Sequence, residues 1–156
     1  MCPVVFMYYI VIIAVVLIDQ IIKIMVRGQM ELFESYPLLG DFFSFTYIEN
    51  YGAAFSMFSG QRFVLLAIPT AVVVLGIYYL MINKNKKDKI MLYSVALLIG
   101  GGLGNLIDRF IFGSVTDYFD LKSFAIFNFA DICVCVGCFL ICIYVIFLEG
   151  RKEREK

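Results

Sequence analysis

Four long apolar runs constrain this chain more than any other feature. They cover roughly residues 4–26, 63–82, 90–107 and 132–148, and each approaches the ~20 helical residues that cross the ~30 Å hydrocarbon layer of a bilayer. The runs are continuously apolar rather than alternating, and a helix satisfies its own backbone polar groups in lipid, so helices are expected rather than barrel strands. With 62% hydrophobic residues, a chain of 156 holds more apolar side chains than a soluble domain can bury. The reading is an all-α membrane protein of four transmembrane helices, a single domain over 1–156. Pro69 is expected to bend the second span slightly. The first run has no basic stretch before it and no small-residue cleavage site after it, and Asp19 and Lys23 interrupt its far end. It reads as a retained helix rather than a secretion signal.

Charge gives orientation. Thirteen Lys plus Arg balance thirteen Asp plus Glu, so no global field points to nucleic acid or another polyanion. Lys84, Lys86, Lys87 and Lys89 lie between spans two and three, and Arg151, Lys152, Arg154 and Lys156 lie in the tail. Basic residues in short loops stay on the cytoplasmic side, so both termini are expected there. The segment 27–62 carries Glu31, Glu34, Asp41 and Glu49 against Arg27 and Arg62, and the link after span three carries Asp108, Asp117 and Asp120 against Arg109 and Lys122. These two segments are expected to face outward.

That topology gathers the unusual polar residues. Asp19 and Lys23 fall at the outer end of span one, Asn105, Asp108 and Arg109 at the outer end of span three, and Asn128 and Asp131 at the outer start of span four. Asn50 and Asp117 lie in the outer segments themselves. Ionisable groups near hydrocarbon are expensive and usually serve a purpose. Within 27–62, residues 41–48 are aromatic and β-branched with partial alternation, which predicts a short strand in a small β-containing segment resting on the membrane. Next come Asn50, Gly52, Ala53 and Ala54, then Phe55, Met57 and Phe58, small residues that allow close backbone approach amid apolar ones suited to lipid or an extended peptide.

The chain has no histidine, which removes Ser-His-Asp and Cys-His chemistry. Cys133, Cys135, Cys138 and Cys142 cluster inside one apolar helix without a second pair elsewhere, so they read as small packing residues rather than metal ligands. Carboxylates remain. Two aspartates, Asp117 and Asp131, flank the entrance to the last span. At a partly desolvated site such a pair shares a proton, leaving one acid basic and the other a donor. That suits peptide hydrolysis without a covalent intermediate. The same acids also suit a small proton or ion carrier, although four short helices without an internal repeat argue against one, and a structural subunit is a third reading.

Spacing adds local pairings. Asp19 and Lys23 stand four apart with the acid N-terminal, the arrangement of an ion pair on one helix face. Asn105 and Arg109 are likewise four apart and can aim at one spot, with Arg109 able to hold a substrate backbone or a lipid's polar region. Asp108 faces elsewhere, as a helix-end or packing partner. Asn128 lies three before Asp131, beside it if the helix has begun.

Five blocks together carry a resemblance: Asp19-Gln20-Ile21-Ile22-Lys23; Asn50-Tyr51-Gly52-Ala53-Ala54-Phe55; Gly101 with Gly104-Asn105-Leu106-Ile107-Asp108-Arg109; Gly113-Ser114-Val115-Thr116-Asp117-Tyr118; and Phe127-Asn128-Phe129-Ala130-Asp131. In this order and spacing the chain resembles the lipoprotein signal peptidases, bacterial signal peptidase II, along nearly its whole length. The resemblance implies a multi-pass aspartyl endopeptidase of the bacterial cell membrane, active at the extracytoplasmic face. Its substrates are diacylglyceryl-modified prolipoproteins, whose signal peptide it removes before the lipidated cysteine. Asp117 and Asp131 fall on the family's catalytic positions. Asn50, Gly52, Asn105, Arg109 and Asn128 fall around the substrate, and Asp19, Lys23 and Asp108 on structural support. No metal or organic cofactor is implied; the partners are substrate and membrane lipid, and the expected state is a monomer. Two departures stand out: Tyr118 where phenylalanine is common, and Ile132 where serine is usual.

Overall fold

The structure is a computed structural model that describes residues 3–52, 60–83, 88–122 and 124–149. The small and apolar residues Ala53, Ala54, Phe55, Met57 and Phe58, the loop lysines Lys84, Lys86 and Lys87, and the basic tail lie outside them. Among the described residues, four helices are long and apolar enough to cross a membrane: α1 (Pro3–Gln29), α2 (Arg62–Ile82), α3 (Lys89–Ile111) and α4 (Phe129–Ile143), the last continued by a π-helical stretch, Tyr144–Glu149. Pro69 lies within α2, which continues on both sides of it.

α3 is the centre of the bundle, packing against α1, α2 and α4. Its glycines explain how the neighbours come so close. A Cβ at Gly101 would stand 2.4 Å from the Ala130 carbonyl oxygen, and one at Gly104 2.5 Å from Asp19 Oδ2. Lipid tails are as apolar as leucine, so helix association inside a membrane relies on such close backbone approach. The main core joins Tyr8 and Ile12 of α1, Val73 and Leu80 of α2, and Leu92, Val95, Ala96, Ile99 and Leu106 of α3. The other helix faces stay apolar and exposed: Ile13, Leu17, Ile21 and Ile24 on α1, and Val74, Leu75, Tyr78 and Met81 on α2. An exterior of this kind is solvated by hydrocarbon, not water.

The all-α reading needs correction. A four-stranded antiparallel sheet, ordered β1-β2-β3-β4, caps one end of the bundle. β2 (Phe43–Asn50) falls on the strand expected in the link between α1 and α2, and β1 (Ser35–Leu39) precedes it there, but β3 (Val115–Leu121) and β4 (Ala125–Phe127) come from the link between α3 and α4. Proline in β1 and two aspartates in β3 hid these strands, because both residue types are depleted in strands. β1 tolerates Pro37 because it is the edge of the sheet. β2 runs to Asn50, two residues beyond the expected stretch, and pairs Ile48 with Asp117 across a bulge that follows Phe45. Beneath the sheet the fully buried Tyr118 ring lies 5.1 Å from Phe45 and 4.7 Å from Phe119. Burying one such ring stabilises by about 1.5–3 kcal/mol. The sheet is thereby seated on Val26, at the end of α1.

Candidate active site

The site forms where the sheet meets the ends of α1, α3 and α4, and it is built outward from one helix start. Asn128 is the N-cap of α4, and Asp131 sits at its third position in a reciprocal capping box. The Asp131 amide donates to Asn128 Oδ1 at 3.0 Å, and the Asn128 amide donates to Asp131 Oδ2 at 3.1 Å. The two amides between them find side-chain acceptors as well. That of Phe129 donates to the Tyr118 hydroxyl at 3.0 Å, and that of Ala130 to Asp19 Oδ1 at 3.1 Å. The first amides of a helix have no partner in their own helix. Here they are satisfied from β3, from α1 and from the box, which fixes where Asp131 stands.

Asp117 arrives from β3. Its Oδ1 accepts from Asn128 Nδ2 at 2.6 Å and its Oδ2 from Asn50 Nδ2 at 2.9 Å. Asp131 Oδ1 accepts from Asn105 Nδ2 at 2.7 Å. One residue, Asn128, therefore donates to both acids, to Asp117 from its side chain and to Asp131 from its backbone. Burial, reinforced by the charge of Asp131, pushes the Asp117 carboxyl up to about 7 against the hydrogen bonds from Asn50 and Asn128. A carboxyl that titrates near neutrality can hold or release a proton as a reaction demands.

Behind the pair lies a buried charge cluster. Lys23, with no exposed surface, pairs with Asp19 at 2.8 Å and Asp108 at 3.2 Å, and donates to Asn105 Oδ1 at 2.9 Å. Asp108 Oδ2 also accepts from the Thr116 amide at 3.1 Å, and Arg27 stands 3.5 Å from Asp108 Oδ1. Arg109 donates to the Gly52 carbonyl oxygen at 3.0 Å, and the Gly52 amide donates to Asn50 Oδ1 at 2.9 Å. Arg109 thus holds the chain's own backbone while also lining the cavity.

All ten residues singled out from the sequence meet in this one region. Asp19, Lys23 and Asp108 form the supporting cluster, Asn105 and Asn128 touch the acids, and Arg109 with Gly52 and Asn50 ties the end of β2 to α3. Four contributors were missed. Gln20 donates to the Gly104 carbonyl and to Asp108, each at 3.1 Å, and Arg27 donates to Thr116 Oγ1 at 2.7 Å while its guanidinium lies 4.3 Å from the centre of the Phe112 ring. For Arg27 a signal existed: Asp19, Lys23 and Arg27 recur every four residues, on one helix face. Thr116 and the Tyr118 hydroxyl gave none, since their partners depend on an unpredicted strand. Ile132 turns into the cavity wall.

That cavity, about 600 Å³, has a polar pole at Asn50, Asn105, Arg109, Asp117 and Asp131. Its remaining wall is apolar, with Leu121, Phe124, Ile126, Ile132 and Val136. Cys135 lines it too, while Cys133 is buried and Cys138 and Cys142 are exposed on α4.

Fold and site together define a multi-pass membrane protein with a carboxylate pair, Asp117 buried and Asp131 half-buried, opening onto a largely apolar cavity. The sequence model of the signal peptidase (SPase) II family matches residues 11–147. The chain belongs to the signal peptidase II family. It is 41% identical over 140 residues to the lipoprotein signal peptidase of Halothermothrix orenii, covering 89% of this chain and 94% of that protein. Against the lipoprotein signal peptidase of Clostridioides difficile it is 37% identical over 149 residues, 94% of this chain and 99% of the relative. A bacterial membrane enzyme solved by the in meso method at 2.3 Å superposes with a TM-score of 0.86 at 28% identity, covering 96% of this chain and 93% of that one.

Proposed function

We propose that this membrane protease is an aspartyl endopeptidase that removes signal peptides from diacylglyceryl-modified prolipoproteins, cleaving before the lipidated cysteine. The observation that carries this reading is that one residue, Asn128, donates to both carboxylates, to Asp117 from its side-chain amide and to Asp131 from its backbone amide. Asp117 is buried and Asp131 half-buried, and the Asp117 carboxyl titrates near neutrality. One member of the pair takes a proton from water as the water attacks the scissile carbonyl; the other donates a proton to the carbonyl oxygen. The tetrahedral intermediate then collapses as the leaving amine is protonated. Asn50, Gly52, Asn105, Arg109 and Asn128 frame the scissile segment, and acyl chains lie along the apolar wall. No metal or organic cofactor takes part.

The basic residues of the loop and tail support an orientation with both termini cytoplasmic and the site at the extracytoplasmic face of the cell membrane. A monomer surrounded by lipid suffices, since both acids and the residues framing them come from one chain. Purified protein in detergent, given a diacylglyceryl-modified prolipoprotein, is expected to release the signal peptide at the same rate with and without a chelator. Metal-dependent release, or proton movement across sealed vesicles with no cleavage, counts against the assignment.

A further inference from the structure

The two acids are not equivalent, and the difference traces to a lysine that touches neither. We propose that Lys23 is a positioning residue for the reaction: through Asn105 it holds Asp131 as the ionised base and leaves the resting proton of the pair on Asp117. This rests on the carboxylate-pair reading above.

The argument begins with an amide. Oxygen and nitrogen of an asparagine are normally assigned from their partners, and a lysine ammonium can only donate. Asn105 presents its Oδ1 to Lys23 Nζ at 2.9 Å and to Asn128 Nδ2 at 3.1 Å. Its Nδ2 is thereby committed to Asp131 Oδ1 at 2.7 Å. Lys23 spends its three donors on Asp19, Asp108 and Asn105, so it is itself immobile, and the amide between it and Asp131 is polarised toward the acid. The second Asp131 oxygen accepts the Asn128 backbone amide at the positive end of α4, a position that favours negative charge.

Asp117 has neither advantage. It sits on a strand, and its two oxygens accept from the neutral amides of Asn50 and Asn128. Asn50 is backed in turn by the Gly52 amide, not by a cation. Burial and the neighbouring Asp131 charge raise Asp117 to about 7, and Lys23 is the weakest of the influences opposing that rise. The charged and titratable groups around the pair are Asp19 and Lys23 from α1, Asp108 and Arg109 from α3, Tyr118 from β3 and Cys135 from α4.

The step then balances. Water oxygen bonds to the scissile carbonyl carbon, its proton passes to Asp131, and the Asp117 proton passes to the carbonyl oxygen. On collapse the C–N bond breaks, the Asp131 proton goes to the departing nitrogen, and a proton from one hydroxyl of the intermediate returns to Asp117.

Turnover measured against pH on a diacylglyceryl-cysteine signal peptide tests the assignment. Asp19→Asn/Lys23→Met removes one charge of each sign. With it, the acidic limb of kcat is expected to move up by about one pH unit, an approximately tenfold loss on that side, with KM unchanged. Lys23→Arg, which keeps a cation and its donors, restores the limb. Asn105→Ala leaves the ion cluster in place and serves if the double variant does not fold; it shifts the same limb the same way. If activity in these variants merely tracks the amount of folded protein, with both limbs where the wild type has them, Lys23 is structural and the proposal fails. Normal turnover in Asp117→Asn and Asp131→Asn would instead overturn the carboxylate-pair reading itself.

Discussion

At the scale of the residue, burial makes Asp117 the most informative side chain. An ordinary aspartate near 3.8 is held here at about 7, so the folded protein binds a proton that the unfolded chain has already lost. The sign follows: this group's contribution to stability is highest below its unfolded value and declines as pH rises from there to about 7. Asp117→Asn abolishes that decline. Its thermal unfolding in detergent is expected to exceed wild type by about 1–3 kcal/mol at pH 8 and by little at pH 4, while cleavage falls by several orders of magnitude. A variant that loses activity because it unfolds gives the opposite pattern. The same proton predicts that wild-type turnover declines as pH rises through 7. Asp19→Asn belongs to the other class, because it leaves Lys23 half-paired in a buried cluster. A stability loss of about 3–5 kcal/mol is expected, with activity per folded molecule largely kept. The gathering of these polar residues was legible in the sequence, since charges beside lipid are costly and seek one another. Tyr118 was not: its departure from phenylalanine adds a hydroxyl, and the amide of Phe129 that it accepts lies eleven residues away in sequence.

At the scale of the element, α4 shows why sequence hydropathy places a helix start too late. The apolar run suggests 132, yet the helix begins at Phe129 and α3 continues to Ile111, beyond the expected 107. Hydropathy counts Asn128, Asp131, Asp108 and Arg109 as boundary residues. In the folded chain their polar groups are consumed by caps, ion pairs and the Gly52 carbonyl, so the helices extend through them. The sheet was half legible for a related reason: β2 advertises itself with aromatic and β-branched residues, whereas β3 carries Asp117, which lines the cavity, and Asp120, which pairs with Thr46 and Lys122, and aspartate is depleted in strands. Asn128→Asp probes this junction. Aspartate is as good an N-cap as asparagine, so the Asp131 amide keeps its acceptor, but a third carboxylate now faces Asp117 in place of a donor. Near-normal thermal stability is expected at pH 5, with a growing deficit toward pH 8 and loss of cleavage at both. Equal destabilisation at the two pH values would mean that the cap itself had failed.

At the scale of the whole molecule, the site depends on bringing five elements to one end of the bundle. Asp19 and Lys23 come from α1, Asn50 from the end of β2, Asn105, Asp108 and Arg109 from α3, Asp117 from β3, and Asn128 with Asp131 from the start of α4. The links after α1 and after α3 must therefore lie at the same end of the bundle, as alternate links of four successive spans do. Lysine counting alone reached this layered arrangement, because basic loops and polar helix ends alternate along the chain. Which face carries the site is a separate matter, resting on the loop and tail charges. A variant lacking the five cysteines of the chain and carrying one reporter cysteine tests it in intact cells with a membrane-impermeant thiol reagent. A cysteine at Ser35, in the exposed β1, is expected to label directly; one at Asn85 is expected to label only after permeabilisation. Direct labelling at Asn85 with protection at Ser35 would invert the protein, setting the carboxylate pair on the cytoplasmic side. A substrate lipidated and exported before cleavage could not reach it there, so the orientation and the proposed activity stand or fall together.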